Sequence, residues 1–287
     1  VETNLKDPYQ LLDENGYVVL KGVLSEVETD SVLNVVAQVV DRKTEELFKQ
    51  GLISDKYEEL PVQTRWVKIC EMYPQEDRQW NEEVFSEALY HLCSNPKLLD
   101  VVEHYVGSEI NVNGDYWLRP KLPHEEKTTI PWHQDSFYYN GVQSGNLAYK
   151  ILSIWIPLVA VDENNGCMQI ITGSHKWGLL DYQDTGNQTR VPVEDVEQRG
   201  EVITVRMNKG DILLFNQLTL HRSLPNISDG VRWSIDLRYT PADQSFDWHS
   251  LSDAFFDKAH PCFVARSQDQ GRVMGWEDWK AKKLAQA

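Results

Sequence analysis

From Ile110 onward the chain is written in short β-forming runs, each closed by a turn signal, and that rhythm narrows the folds open to it. The runs are Val112 to Leu118, Ile151 to Val161, Met168 to Thr172, Val202 to Arg206, Asp211 to Phe215 and Val231 to Tyr239. Between them stand Asn164-Asn165-Gly166, Lys209-Gly210-Asp211 and Ser228-Asp229-Gly230, residues that favour tight reversals. Many short strands with frequent turns make a barrel or a two-sheet sandwich.

Helices come before this β body. Gly16 to Leu20 reads as a short buried strand, and Ser25 with Glu28 forms a capping box. The helix it opens runs to about Gln50, with Val32, Val36, Val39 and Val40 on an apolar face. Leu52 to Pro61 is polar and reads as loop. Asn95 as N-cap, Pro96 in the first turn and Gly107 past the end bracket a second helix. No internal repeat or linker divides the 287 residues, so one domain is expected. Its parts are a mainly helical support (1–109), a β core (110–242) and an extension (243–287). That extension carries an aromatic cluster, Phe246, Trp248, Phe255 and Phe256, and a polar helix-like end around Trp276 to Gln286.

The net charge of −16 disfavours nucleic acid and anionic membrane surfaces as partners. No apolar run is long enough to span a bilayer, and no secretory segment opens the chain. Cys70, Cys93, Cys167 and Cys262 are scattered without a C-x-x-C pair, which suggests reduced structural thiols and a cytoplasmic protein.

The chemistry-bearing residues begin at Pro131-Trp132-His133-Gln134-Asp135. In an extended segment His133 and Asp135 project to one face, because strand side chains alternate. An imidazole and a carboxylate side by side are two parts of the 2-His-1-carboxylate set of Fe(II) oxygenases. The same ligand types also serve zinc hydrolases. His221, just past the Asp211 to Phe215 run, is a candidate third ligand. Arg232 follows in a strand whose polar residues, Arg232, Ser234, Asp236 and Arg238, share one face. That face points either into water or into a barrel, where Arg232 could fork a carboxylate.

Taken in order, these motifs resemble the phytanoyl-CoA dioxygenase family of Fe(II)/2-oxoglutarate oxygenases. The opening strand Asn15 to Leu20, His133-Gln134-Asp135 and Trp155 fit its pattern. So do Asn164 to Met168, Thr172-Gly173-Ser174-His175, Gly210-Asp211, His221 and Arg232. Thr172 stands where the family usually has proline. The resemblance implies a mostly β fold with flanking helices around a double-stranded β-helix (jelly-roll, cupin-like) core. It implies Fe(II) held by His133, Asp135 and His221, with 2-oxoglutarate and O2 as co-substrates and succinate and CO2 as products. Ser223 and Arg232 would bind the distal carboxylate of 2-oxoglutarate, with Gln134, Lys68 and Trp155 near the co-substrate or metal. His175 is expected to be structural.

An intact Asp135 argues for hydroxylation or a related oxidation, since related halogenases replace this ligand with a small residue. Trp117, Arg119, Phe137, Tyr138, Tyr139, Asn216, Trp248 and Arg266 are candidate substrate-pocket residues, and Lys121 to Ile130 reads as a lid. The acidic chain lacks a basic cradle for an acyl-CoA, so a small-molecule metabolite is the expected substrate. The rival readings are a catalytically silent cupin-like binding protein, a zinc hydrolase on the same ligands, and a nucleic-acid or protein demethylase, the charge counting against nucleic acid.

Overall fold

The protein is represented by a computed structural model that describes residues 7–75, 80–139, 150–184, 189–192, 196–244 and 261–285. Six helices lead: α1 (Pro8–Asn15), α2 (Glu26–Lys49), α3 (Val62–Met72), α4 (Asn81–Val84), α5 (Glu87–Cys93) and α6 (Pro96–Val106). The expected capping box is present: Glu28 N–H donates to Ser25 Oγ, and Ser25 N–H donates to the Glu28 carboxylate. Asn95 caps α6 through Lys97 N–H, with Pro96 in its first turn. Helix α3 runs through residues that carry no capping signal; Pro61 precedes it without a side-chain cap. Tertiary burial of Arg65, Trp66 and Ile69 stabilises it instead.

The β body is two facing sheets. Strand β1 (Tyr17–Leu20) pairs with β9 (Ile212–Asn216), which pairs with β4 (Leu152–Pro157), which pairs with β11 (Arg232–Pro241). Strand β11 then carries β2 (Ile110–Val112) and β3 (Trp117–Lys121) along its other edge, and β12 (Phe263–Arg266) closes on β2. The expected strand Val112 to Leu118 is thus two strands, split where Gly114 takes a left-handed φ of 79°. The second sheet is β10 (His221–Ser223), β5 (Met168–Ile171) and β8 (Val202–Val205). A hairpin of β6 (Gln183–Asp184) and β7 (Thr189–Arg190) stands apart. This is the jelly-roll architecture expected of the chain.

Alternation explains what each face does. Ile154, Ile156, Leu214, Trp233, Ile235 and Leu237 point outward from the large sheet and pack with Val32, Val36, Trp66, Ile69, Leu98 and Val102 of the helices. Trp155, Leu213 and Phe215 point inward and meet Met168, Ile170 and Val205 of the small sheet. Strand β11 is buried on both faces, so its polar residues face the barrel interior and not water. The last helix, α7 (Trp276–Leu284), buries Trp279 against Phe263 and Phe85, which ties the C-terminal segment to the same core. The cluster Phe246, Trp248, Phe255 and Phe256 lies outside the described residues. No helix among the described residues is long and apolar enough to cross a membrane.

The Gly210-Asp211 motif is a structural clasp. Asp211 accepts from Gly22 N–H at 2.9 Å, Lys21 Nζ at 2.9 Å and Asn208 N–H at 2.8 Å. Gly210 has φ 91°, and a Cβ there would stand 2.4 Å from the Leu24 carbonyl oxygen. Gly210→Ala is therefore expected to destabilise the protein by about 2–4 kcal/mol, from a left-handed non-glycine residue plus a backbone clash. Urea unfolding checks this; a midpoint equal to wild type would show that the turn relaxes freely.

Candidate metal centre and co-substrate pocket

The extended stretch before Asp135 runs beside β10. His133 N–H donates to the His221 carbonyl and His221 N–H to the His133 carbonyl, both at 3.1 Å. This paired bridge sets the two imidazoles facing each other, with ring centroids 4.1 Å apart. At Asp135 the chain turns into a short 3-10 helix, Asp135–Tyr138, which leaves the carboxylate on the face of the two rings. Asp135 Oδ1 is 3.8 Å from His133 Nε2 and 3.6 Å from His221 Nε2. One ligand atom from each of the three residues lies within 4.8 Å of the others, and all three are buried.

The surroundings decide which atoms are free to ligate. His133 Nδ1 donates to the Pro131 carbonyl at 2.8 Å and His221 Nδ1 to the Thr219 carbonyl at 2.9 Å. With Nδ1 carrying the proton, each Nε2 presents a lone pair toward Asp135. Burial favours the neutral rings: it lowers His221 and pulls His133 down to about 3. Asp135 behaves oppositely. Burial works to raise it, but Arg238 above all, with the two imidazoles and Ser153, holds its carboxyl well below the usual range. Asp135 Oδ2 accepts from Ser153 Oγ at 2.6 Å and Arg238 Nε at 3.1 Å, so Oδ1 is the oxygen left for a metal. Two neutral imidazoles and one carboxylate on one side fit the facial triad of a non-haem iron site, which leaves coordination positions open.

Arg238 also holds Asp115, 3.0 Å away, which in turn accepts from the Trp117 indole and the Tyr139 hydroxyl. Trp117 and Tyr139, expected as pocket walls, are thus parts of a buried network behind the metal ligand. Sequence reading overlooked Arg238, Asp115 and Ser153 as site residues. The period-two face it drew through Arg232 and Asp236 already contained Arg238, and Ser153 lies two residues before Trp155 on the inner face of β4.

At the other end of β11, Arg232 is buried with Nε unpartnered and no carboxylate within ion-pair distance among the described residues. It lies over the Trp155 ring at 5.4 Å and donates through Nη1 to Ser234. Burial lowers its guanidinium to about 10, which still leaves it charged. Ser223 stands two residues past His221 on the same face of β10 and is buried.

Other expected site residues are placed elsewhere. Gln134 is fully engaged: its amide donates to the Gly178 and Leu218 carbonyls and accepts from Leu180 N–H, so it clasps two loops instead of facing a ligand. Lys68 lies on the solvent side of α3, paired with Glu71, because its neighbours Trp66 and Ile69 take the buried face. Arg266 sits on the outer strand β12 and pairs with Asp100 and Glu103 of α6. Phe137 stacks on Tyr182 in a separate apolar cluster. Asn216 bonds Tyr105 and lines a cavity of about 520 Å³ that does not include the triad. Tyr138 is half-buried, edge-on to His133. Arg119 stays in the interior, pairing with Asp236 at 2.7 Å and lying over Trp117. Trp248 lies outside the described residues. His175 bonds the Asp13 carbonyl and abuts Gly16, a clasp between two motifs and no ligand. The expected lid is tied down: Lys121 Nζ donates to the Thr128 carbonyl, His124 N–H to the Asn226 carbonyl, and Ile130 N–H to Ser223 Oγ.

The convergent His–Asp–His set, in a chain that matches a known oxygenase family, defines the class: a non-haem iron oxygenase dependent on 2-oxoglutarate. The chain belongs to the phytanoyl-CoA dioxygenase (PhyH) family, whose model matches residues 12–234. It is 29% identical over 255 residues to 1-deoxypentalenic acid 11-beta-hydroxylase of Streptomyces arenae, covering 84% of this chain and 82% of that protein. It is 25% identical over 240 residues to peroxisomal phytanoyl-CoA dioxygenase of Homo sapiens, covering 80% and 67%. Among solved structures it shares its fold with the epimerase SnoN in complex with Fe3+, alpha ketoglutarate and nogalamycin RO. That match has a TM-score of 0.57 at 19% identity, over 87% and 88% of the two chains. EctD from S. alaskensis with 2-oxoglutarate and 5-hydroxyectoine matches at 0.60 and 18%, over 86% and 80%.

Ser153→Ala removes a hydroxyl from Asp135 Oδ2 and little else. It is expected to weaken divalent-metal affinity about tenfold, the lower end for loss of an outer-shell partner. Competition against a chromophoric chelator measures this; an unchanged affinity would mean that Arg238 alone fixes the carboxylate.

Proposed function

We propose that His133, Asp135 and His221 hold Fe(II), that Arg232 and Ser223 hold the distal carboxylate of 2-oxoglutarate, and that the enzyme oxidises a C–H bond of a small polar metabolite. The observation that carries this reading is Arg232: a buried, charged guanidinium with an unpartnered Nε, on the strand that also supplies Arg238 to Asp135. An unpaired buried charge is costly, so a carboxylate ligand there is the natural complement. When bound, iron and 2-oxoglutarate together supply the oxidising power, with succinate and CO2 as products of the co-substrate.

The chain's own residues position and shield. Pro131 and Thr219 carbonyls fix the imidazole tautomers, and Ser153 and Arg238 turn Asp135. Trp155 forms an apolar floor beneath Arg232, which excludes water from the co-substrate end. Phytanoyl-CoA is disfavoured as substrate by the chain's net charge of −16, which repels phosphates. Arg119 and Asp236, whose Oδ1 has no partner among the described residues, supply polar recognition groups for a small metabolite. Two kinds of relative are named for small molecules, 1-deoxypentalenic acid and hypophosphite, while others are named for phytanoyl-CoA. We further propose a single oxygenase domain in a reducing compartment such as the cytoplasm, which suits four free cysteines.

A succinate-release screen over small metabolites tests this. Wild-type protein with Fe(II) is expected to release succinate faster when substrate is present. His133→Ala and Asp135→Ala are expected to lose that turnover, and zinc is expected not to support it. Arg232→Met is expected to raise the 2-oxoglutarate requirement by roughly 100-fold, the worth of a charge-assisted pair. Full turnover in either triad variant would overturn the ligand assignment.

A further inference from the structure

We propose that Asp115 is a positioning residue for the metal: by sharing the Arg238 guanidinium it keeps Arg238 from closing on both oxygens of Asp135, and so leaves Asp135 Oδ1 for the metal. The proposal rests on the ligand reading above and adds to it the residue that keeps the third ligand available.

Arg238 sets the problem. A guanidinium beside a single carboxylate prefers the bidentate fork, one N–H to each oxygen. A metal needs one of those oxygens. Here Arg238 Nε and Nη2 both stand 3.1 Å from the same oxygen, Asp135 Oδ2. Asp135 Oδ1 receives no protein donor among the described residues and faces the two imidazole Nε2 atoms. Asp115 is what turns the fork. Its Oδ2 lies 3.0 Å from Arg238 Nε, and its carbonyl accepts from Arg238 Nη1 at 3.5 Å.

Asp115 is itself held in place. Its N–H donates to Asn113 Oδ1 at 2.9 Å, and Asn113 N–H donates to the Arg238 carbonyl at 3.1 Å. The turn between β2 and β3 is thus pinned to the residue whose side chain it restrains. The Trp117 indole donates to Asp115 Oδ1 and the Tyr139 hydroxyl to Oδ2. Tyr139 stands just past the 3-10 helix that Asp135 opens. Asp115 therefore grips the ligand's segment at both ends, through Arg238 at Asp135 and directly at Tyr139.

The charge on Asp115 follows from these neighbours. Indole and guanidinium can only donate. With the indole on one oxygen and the guanidinium and phenol on the other, neither oxygen is turned to an acceptor, which is the setting of an ionised carboxylate. Burial works to raise its carboxyl, and Arg238 first, then Tyr139, acts against that. Asp236 cannot take its place, because it stands 4.0 Å from Arg238 Nη2 and is bound to Arg119 at 2.7 Å. One guanidinium between Asp115 and Asp135 leaves a net negative charge, which suits a divalent cation. Without Asp115 the pair is neutral, and a metal must compete with Arg238 for Asp135.

Titration of the metal-stripped protein with Mn(II) and Co(II), against a chromophoric chelator, tests this without turnover. Asp115→Asn keeps the shape and removes the charge; it is expected to bind both metals roughly 10- to 100-fold more weakly, the range for an outer-shell partner. The visible bands of the Co(II) protein, which report ligand geometry, are expected to shift with it. Asp115→Asn combined with Arg238→Gln removes the competing cation as well. This double variant is expected to recover most of the affinity and the wild-type bands. Tyr139→Phe takes a donor from Asp115 and leaves the charges, and is expected to bind metal as wild type does. Unchanged affinity in Asp115→Asn would overturn the proposal. A double variant as weak as the single one would also overturn it, since Asp115 would then be a strut for the turn. If Asp115→Asn does not fold, the double variant and Tyr139→Phe carry the test: near-wild-type binding in both supports the proposal, and weak binding in either overturns it. Wild type that binds neither metal, or that keeps its affinity in His133→Ala, would instead overturn the ligand reading on which the proposal rests.

Discussion

Two backbone hydrogen bonds, exchanged between His133 and His221, hold the centre of this molecule together. They join a loop to the edge of a three-stranded sheet, and the side-chain geometry follows from them. Because paired residues in an antiparallel bridge project to the same side, the two imidazoles must face one another. Asp135, one alternation further along, must then lie beside them. The remaining devices refine this arrangement: carbonyls choose the tautomer, and Ser153 with Arg238 choose the carboxylate oxygen. A metal joining three such residues would also staple two segments that otherwise share little, which couples its binding to the stability of the small sheet.

Much of this was legible in the order of residues. The switch to short strands at Ile110, the capping box at Ser25 and the capped helix after Asn95 each rest on local chemistry, and local chemistry survives folding. Helix α3 was not legible, because it is stabilised by burying Trp66 and Ile69 and not by its own ends. The polar face of β11 was legible as a face but not in its direction. Only the helices packed on Trp233, Ile235 and Leu237 decide that Arg232 and Arg238 look inward. Lys68 and Arg266 show the converse: positive residues near suggestive motifs, turned to solvent by neighbours that took the buried side.

The interior charges of β11 are distributed unevenly along its length. At the Arg238 end, two aspartates, a serine and a tyrosine surround one guanidinium, and every group has a partner. That end is rigid, as a metal ligand requires. At the Arg232 end the balance differs: the guanidinium has hydroxyls and a ring beside it and no carboxylate within ion-pair distance among the described residues. The same strand therefore offers one end that is electrically complete and one that is completed by an anion.

Strand β10 is only three residues long, and it places His221 and Ser223 on one face with Arg222 on the other. The metal site and the proposed carboxylate site thus hang on a single alternation. A one-residue insertion or deletion between Gln217 and Leu220 would present Arg222 to the interior and withdraw His221 and Ser223 at once. Point substitutions in that connection can be graded in their effects, but changes in its length cannot. The loop ahead of β10 is for this reason a place where the protein's lineage can vary in chemistry but scarcely in spacing.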